Sequence, residues 1–138
     1  MKNLFYILIC IGISVNAFSQ TAASTTLSIP KKASVIYVGP VSFDSIVSEL
    51  QRQNYKIDNL VKNKMIVTKY KMYGDLFKNI SLHIRYYDST AEIMGTIYSR
   101  QNSTRMDYVV TYSSLSRKAF ETMNNLAIAL NAGIRYAK

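Results

Sequence analysis

The stretch from Ile80 to Ser99 constrains the fold most, because apolar side chains recur at every second position in both of its halves. A period of two is typical of a strand with one buried face. Between the halves lies Asp88-Ser89-Thr90, made of residue types that favour turns. The stretch therefore predicts an antiparallel hairpin at the centre of a sheet.

The register of this hairpin follows from burial. A slip of one residue would move every isoleucine from the buried face to the solvent face, so we predict that Tyr87 lies opposite Thr90. In that register the facing residues are Ile84 and Ile93, Leu82 and Gly95, Ile80 and Ile97, and Arg85 and Glu92.

The first residues have the pattern of an export signal. Met1-Lys2-Asn3 is positively charged, Leu4 to Val15 is apolar, and Ala17-Phe18-Ser19 has small residues where signal peptidase cuts. The apolar run is shorter than the ~20 residues that span a bilayer. We predict a signal peptide at residues 1–19, cleavage before Gln20, and a periplasmic or secreted mature chain without a transmembrane segment.

Cys10 raises the alternative of a lipoprotein signal. We disfavour it because Ile9 stands where such signals have a small residue. Cleavage before Gln20 removes this one cysteine, which excludes disulfides and cysteine metal ligands from the mature chain. It also removes Lys2, so 16 of the 17 basic side chains remain against 8 acidic ones, a net charge of +8. A positive protein attracts anionic partners.

The mature chain is long enough for one domain. Residues 20–32 are rich in Thr, Ala and Ser and predict a flexible tether, and residues 33–138 predict a single α+β domain. Its predicted elements are a strand at 33–39, a helix capped by Ser42, a hairpin of 55–60 and 65–72, the central hairpin, a loop at 100–105, a strand or extended segment at 106–112, a helix capped by Ser114 or Ser116, and a short tail at 134–138.

These elements predict a fold class. The order β-α-β-β-β-β-(β)-α implies an antiparallel sheet of four to six strands with two helices packed on one face. Ile84 and Ile93 are predicted to lie under the last helix.

The layout resembles the small exported proteins and lipoproteins of the Bacteroidota. The resemblance lies in the KMIVTKYK strand, the AFETMNNLAIAL helix and the IRY that follows it. Many proteins of that group are similar to TATA-box-binding-protein-like or BamC-like α+β domains. The resemblance spans residues 33–136, and it implies no particular activity, cofactor or site residue.

The candidate catalytic residues do not form a catalytic pattern. His83, the one histidine, is predicted on the solvent face beside Ser81 and Met94, which cannot orient a general base. The acidic residues are scattered without the spacing of a metal loop, and no nucleophile elbow or phosphate loop occurs. We therefore expect no enzyme activity, no cofactor and no metal site.

Lysines suggest a binding site instead. Lys62, Lys64, Lys69 and Lys71 cluster around the second hairpin, interleaved with Tyr70 and Tyr73, and such a surface can hold anionic groups. Lysines also protect an edge strand from pairing with other chains.

Two functions are therefore expected from the sequence. The first is a non-catalytic envelope or extracellular domain whose sheet face or edge binds another macromolecule of the envelope. The alternative is a binder of anionic surfaces, such as lipid head groups or polyanionic glycans, through the lysine-rich hairpin. Nucleic acid is not an expected partner.

Overall fold

A computed structural model describes residues 28–74, 78–101 and 104–138. In these ranges two helices pack on one face of an eight-stranded antiparallel sheet, which confirms the predicted α+β class. The predicted count of four to six strands is too low, because the run 65–72 forms two strands and the segment 134–138 forms another. The strands are β1 Val35–Gly39, β2 Ile57–Val61, β3 Met65–Thr68, β4 Lys71–Met72, β5 Lys78–Tyr87, β6 Thr90–Gln101, β7 Thr104–Val109 and β8 Gly133–Ala137, and the helices are α1 Phe43–Arg52 and α2 Arg117–Ala129. The strand order is β2-β3-β5-β6-β1-β8, with β4 beside β5 and β7 beside β6.

The central hairpin is β5 and β6, and its predicted register is confirmed. Tyr87 lies opposite Thr90 and Ile84 lies opposite Ile93. Asp88 and Ser89 both have positive φ, 47° and 59°, as a two-residue turn that matches the twist of the strands requires.

The core is built around a row of isoleucines across four strands. Ile66 faces Ile84, Ile84 faces Ile93, and Ile93 faces Ile36. All four are fully buried. Because each fills the space between the sheet and the helices, the row joins both halves of the sheet to one core.

Helix α1 begins and ends as its sequence predicts. The Ser42 hydroxyl accepts a hydrogen bond from the Ser45 N–H at 3.1 Å, and Asn54 ends the turn after the helix with φ of 59°. Phe43, Ile46 and Leu50 are buried.

Helix α2 follows Ser116, which is one of the two predicted caps. The Ser116 side chain makes no capping hydrogen bond and bonds instead to the backbone of Thr111. Phe120, Met123 and Leu126 are buried against the sheet.

The predicted tail at 134–138 is wrong, because this segment is strand β8. Ile134 pairs with Val38 and Tyr136 pairs with Ile36, so β8 extends the sheet beyond β1. The backbone groups of β1 are satisfied by strands on both sides, and Ile134 and Tyr136 pack partly against the core.

Two other boundaries also differ from the prediction, and one segment that the sequence left open is now defined. The expected loop at 100–105 is mostly strand, since Arg100 pairs with Arg105. The segment at 106–112, which the sequence left open, is strand to Val109 and extended beyond it. The run 65–72 is divided into β3 and β4 by an irregularity at Lys69 and Tyr70.

The predicted signal peptide and most of the predicted tether lie outside the described residues. Residues 28–32 are described. Here Lys32 donates a backbone hydrogen bond to the Tyr112 carbonyl at 3.1 Å, so the chain contacts the fold just before β1. Within the described ranges, neither helix combines the length and the apolar character needed to cross a membrane.

Candidate functional site

The structure divides the four lysines of the second hairpin. Lys62 and Lys64 are exposed in the turn between β2 and β3, on either side of Asn63, whose φ is 58°. Lys69 and Lys71 lie beyond the far end of β3, and the seven steps along the chain from Lys64 to Lys71 extend over roughly 20 Å. Lys62 and Lys64 therefore lie close together, whereas Lys71 is too far away to contribute to the same binding site.

Lys71 is held on the helix-covered face of the sheet. It lies opposite the buried Ile80, its amine donates a hydrogen bond to the Gln53 carbonyl at the end of α1, and the same amine lies 4.5 Å from the centre of the Tyr55 ring. A cation is stabilised at the negative end of a helix dipole. The structure thus gives Lys71 a structural contact that its sequence position did not reveal.

The opposite side of the sheet carries no helix in the described part of the chain. We call it the open face and define it by two rows of side chains. The first row crosses five strands and contains Met65, Arg85, Glu92, Tyr37 and Arg135. The second row contains Val67, His83 and Met94.

The first row carries the charges of the open face. An Arg85 nitrogen lies 3.9 Å from a Glu92 oxygen, across the predicted cross-strand pair. The Glu92 side chain is 14% exposed and the Arg85 side chain is 65% exposed. Arg135, also exposed, lies with its guanidinium 5.6 Å from the Tyr37 ring centre. The accessible charge at this end of the face is therefore positive.

The second row is apolar except for His83. The imidazole lies between Val67 and Met94, and no carboxylate or hydroxyl in the described ranges donates or accepts a hydrogen bond with it. Nor does any group of three acidic or histidine side chains gather into a metal-binding arrangement among the residues that the structure describes.

A concave surface that the sequence did not predict lies where α2 begins. We call it the basic cleft. One concavity of 280 Å³ and a second of 430 Å³ share Ser114 and Arg117 in their walls. Their basic side chains come from three distant parts of the chain: Lys31, Lys32, Lys78, Arg117 and Lys118.

Hydrogen bonds fix the loop that forms the floor of the basic cleft. Tyr112 exchanges backbone hydrogen bonds with the segment before β1, and the hydroxyls of Ser113 and Ser116 lie 3.1 Å apart. Arg117 donates to the Tyr112 hydroxyl at 3.1 Å, and this hydrogen bond raises the pKa of Arg117 above its ordinary value. The guanidinium is therefore charged at any physiological pH.

An apolar concavity of 440 Å³ adjoins the basic cleft. Tyr73, Lys78 and Leu115 line both this concavity and the smaller part of the cleft. Its other walls include Ile97, Tyr108 and Val109, and Leu115 is 89% exposed. Tyr108, Val109 and Leu115 are all exposed around this one concavity, and contiguous exposed apolar side chains are typical of binding surfaces.

Comparison with known sequences assigns no family. Neither a protein-family model nor a curated protein matches this chain.

Proposed function

We propose that this chain is an exported, non-catalytic domain that binds another protein through the open face of its sheet. The observation that carries the proposal is the second row of that face, in which Val67 and Met94 are half-buried with no helix over them in the described ranges. Methionine and tyrosine are enriched at protein interfaces, and both occur here.

The charged side chains of the open face indicate which charge its partner carries. Glu92 is mostly covered and paired, whereas Arg85 and Arg135 remain accessible at the edge of the apolar row. Complementary potentials favour association and disfavour like charges. The partner therefore presents an apolar centre with an acidic rim. The predicted signal peptide and the resemblance to exported Bacteroidota proteins support a location in the periplasm or outside the cell for this domain and its partner.

The test compares capture by matched variants. The mature chain from Gln20 is immobilised and incubated with envelope extract from the source organism at low and high salt. Met94→Glu places a charge in the centre of the open face, and Ile128→Glu places the same charge on the exposed side of α2, where Ile128 is 57% exposed. We expect one protein to be retained by the wild type and by Ile128→Glu and to be lost with Met94→Glu.

Salt separates this proposal from simple charge attraction. Interactions between exposed charges are screened above about 0.1 M salt, whereas an apolar contact persists. Retention of the same protein by Met94→Glu, or loss of all binding at high salt, contradicts the proposal. Thermal unfolding of each variant verifies that it is folded.

A second candidate is the binding of anionic surfaces through the turn between β2 and β3. Lys62 and Lys64 support it, because both are exposed and adjacent in the structure. Replacing both with glutamine tests it: binding of the protein to heparin or to anionic vesicles should weaken at low salt. Unchanged binding assigns these lysines to protection of the sheet edge.

A further inference from the structure

Strand β2 is an edge of the sheet and carries exposed apolar side chains. It pairs with β3, and no strand in the described ranges lies beyond it. Leu60 is 43% exposed and Val61 is 41% exposed. An open edge of this kind can pair with a strand of another chain, so its backbone and its charges indicate which strand would fit.

The backbone of Leu60 points away from the rest of the sheet. The Val61 carbonyl accepts a hydrogen bond from the Lys64 N–H at 3.0 Å, so this carbonyl points toward β3. Successive residues of a strand direct their N–H and C=O groups to opposite edges. Both backbone groups of Leu60 therefore point outward, where one residue of a second strand can bond to each of them.

The charges on either side of Leu60 are self-complementary. Asp58 lies two residues before Leu60, Lys62 lies two residues after it, and both are exposed. When a second copy of β2 pairs antiparallel with Leu60 opposite Leu60, the Asp58 of each copy lies opposite the Lys62 of the other. Because a two-fold axis relates the copies, the two ion pairs form together.

An irregularity in β2 limits the length of this pairing. The register with β3 shifts between Ile57 and Asn59, which leaves Asp58 as an extra residue. Because a bulge disfavours pairing beyond it, the contact between copies runs from Asp58 to Lys62. An interface this short is at the weak end of specific association, so the dimer should depend on protein concentration.

The edge at the other end of the strand order lacks this complementarity. Strand β8 pairs with β1 alone in the described part of the chain. Arg135 is exposed at its middle, so two β8 strands paired about this residue would place like charges opposite each other. We infer that two copies of this chain associate through β2, with Leu60 opposite Leu60 and Asp58 opposite Lys62.

This association joins the two sheets into one. Side chains that lie opposite each other in an antiparallel pair are on the same face, so the helices of both copies cover one face and the two open faces lie side by side on the other. The inference does not depend on what the open face binds. Met94→Glu should therefore leave dimer formation unchanged even if it abolishes capture of a partner.

Sedimentation velocity of the mature chain over a wide range of concentrations tests the inference. It is measured at about 0.15 M salt, where the long-range repulsion between two positively charged chains is screened. We expect a monomer at low concentration and a dimer at high concentration. A monomer at every concentration, or assembly that continues beyond the dimer, overturns the inference.

Charge reversal distinguishes this register from any other contact. Asp58→Lys places lysine opposite lysine, and Lys62→Asp places aspartate opposite aspartate. Two attractive pairs become two repulsive ones, so each variant alone should dimerise at least about fivefold more weakly than the wild type. A mixture of the two variants should form a mixed dimer, because every lysine of one copy then faces an aspartate of the other.

A matched control makes the same charge change elsewhere. Glu121→Lys alters the exposed side of α2 and should leave dimer formation unchanged. The combined variant Asp58→Lys with Lys62→Asp should dimerise as the wild type does, since the pairs are only exchanged. An equal loss in the control, or a mixture of the two single variants that dimerises no better than either alone, overturns the inference. Thermal unfolding verifies that each variant is folded.

Discussion

A Cβ atom built on Gly95 would stand 2.7 Å from the Met123 sulfur, so helix α2 packs directly on the backbone of β6. The Val110 side chain closes the same space at 3.0 Å. Gly95 therefore allows a close approach between helix and sheet that any larger residue would obstruct.

This contact predicts a coupled pair of mutations. Gly95→Ala should lower the free energy of unfolding by about 1–3 kcal/mol, because the added methyl group displaces the Met123 side chain. In the double variant with Met123→Ala, the loss should be smaller than the sum of the two single losses. Denaturant unfolding of all four proteins measures the coupling, and additivity within about 0.5 kcal/mol would contradict it.

The isoleucine row predicts large cavity effects. Ile84→Ala and Ile93→Ala should each lower the free energy of unfolding by about 2–5 kcal/mol, since both side chains are fully buried. Met94→Ala, on the half-buried open face beside Ile93, is the control and should cost less. An unchanged melting temperature in the isoleucine variants would mean that the buried face is assigned incorrectly.

Tyr55 predicts a loss of stability in alkali. Burial raises its pKa to about 12, and no group in the described part of the chain bonds to its buried hydroxyl. In the unfolded chain Tyr55 ionises near its ordinary pKa of 10, whereas in the folded protein it ionises only near pH 12. The free energy of unfolding therefore keeps its full value below pH 10 and falls as the pH rises from 10 toward 12. The loss is on the order of 2–3 kcal/mol.

Tyr55→Phe tests that prediction. The variant should be at least as stable as the wild type at pH 7, because it removes an unpaired buried hydroxyl. Its unfolding free energy should also fall less steeply above pH 10. Burial also raises the pKa of Tyr73 and Tyr136, so some alkaline loss remains in the variant. Identical pH profiles for the two proteins would refute the assignment.

The contact between Lys71 and Gln53 predicts that replacing Lys71 lowers the free energy of unfolding more than replacing a lysine of the turn between β2 and β3. Lys71→Gln should lower the free energy of unfolding by roughly 1–2 kcal/mol, because the end of α1 loses its cation. The exposed Lys64→Gln should change it by less than about 0.5 kcal/mol. Equal effects of the two substitutions would show that the contact with Gln53 contributes nothing.

The export signal predicts the first residue of the mature protein. Mass spectrometry of protein recovered from the envelope or the medium should find a chain that begins at Gln20. An intact Met1, or a lipid attached to Cys10, would contradict cleavage at this site.

The central hairpin was predictable because its determinants lie close together in the sequence. The turn residues Asp88 and Ser89 and the alternation on either side act over about twenty residues, and burial permits one register. The caps of α1 at Ser42 and Asn54 are equally local. Each was read from a residue type and its immediate neighbours.

Strand β8 and the basic cleft were not predictable because they depend on distant contacts. Five residues are too few to show a period, and β8 forms because β1 offers it a free edge. The cleft requires Lys32 and Arg117 to meet, which follows from the backbone hydrogen bonds between Lys32, Ala33 and Tyr112. The contact of Lys71 with the Gln53 carbonyl was not predictable, because the irregularity after Thr68 has no signature in the local pattern.

The pairing of β1 with β8 also determines how the chain responds to tension. Ser34 donates a backbone hydrogen bond to Ala137 at 2.8 Å, and the ladder runs from Val35 opposite Ala137 to Gly39 opposite Gly133. Both ends of the described chain therefore leave the sheet at the same point. A force that pulls the two ends apart breaks the hydrogen bonds between β1 and β8 one after another, starting at Val35 and Ala137. Strand β8 therefore detaches before the isoleucine row bears any load.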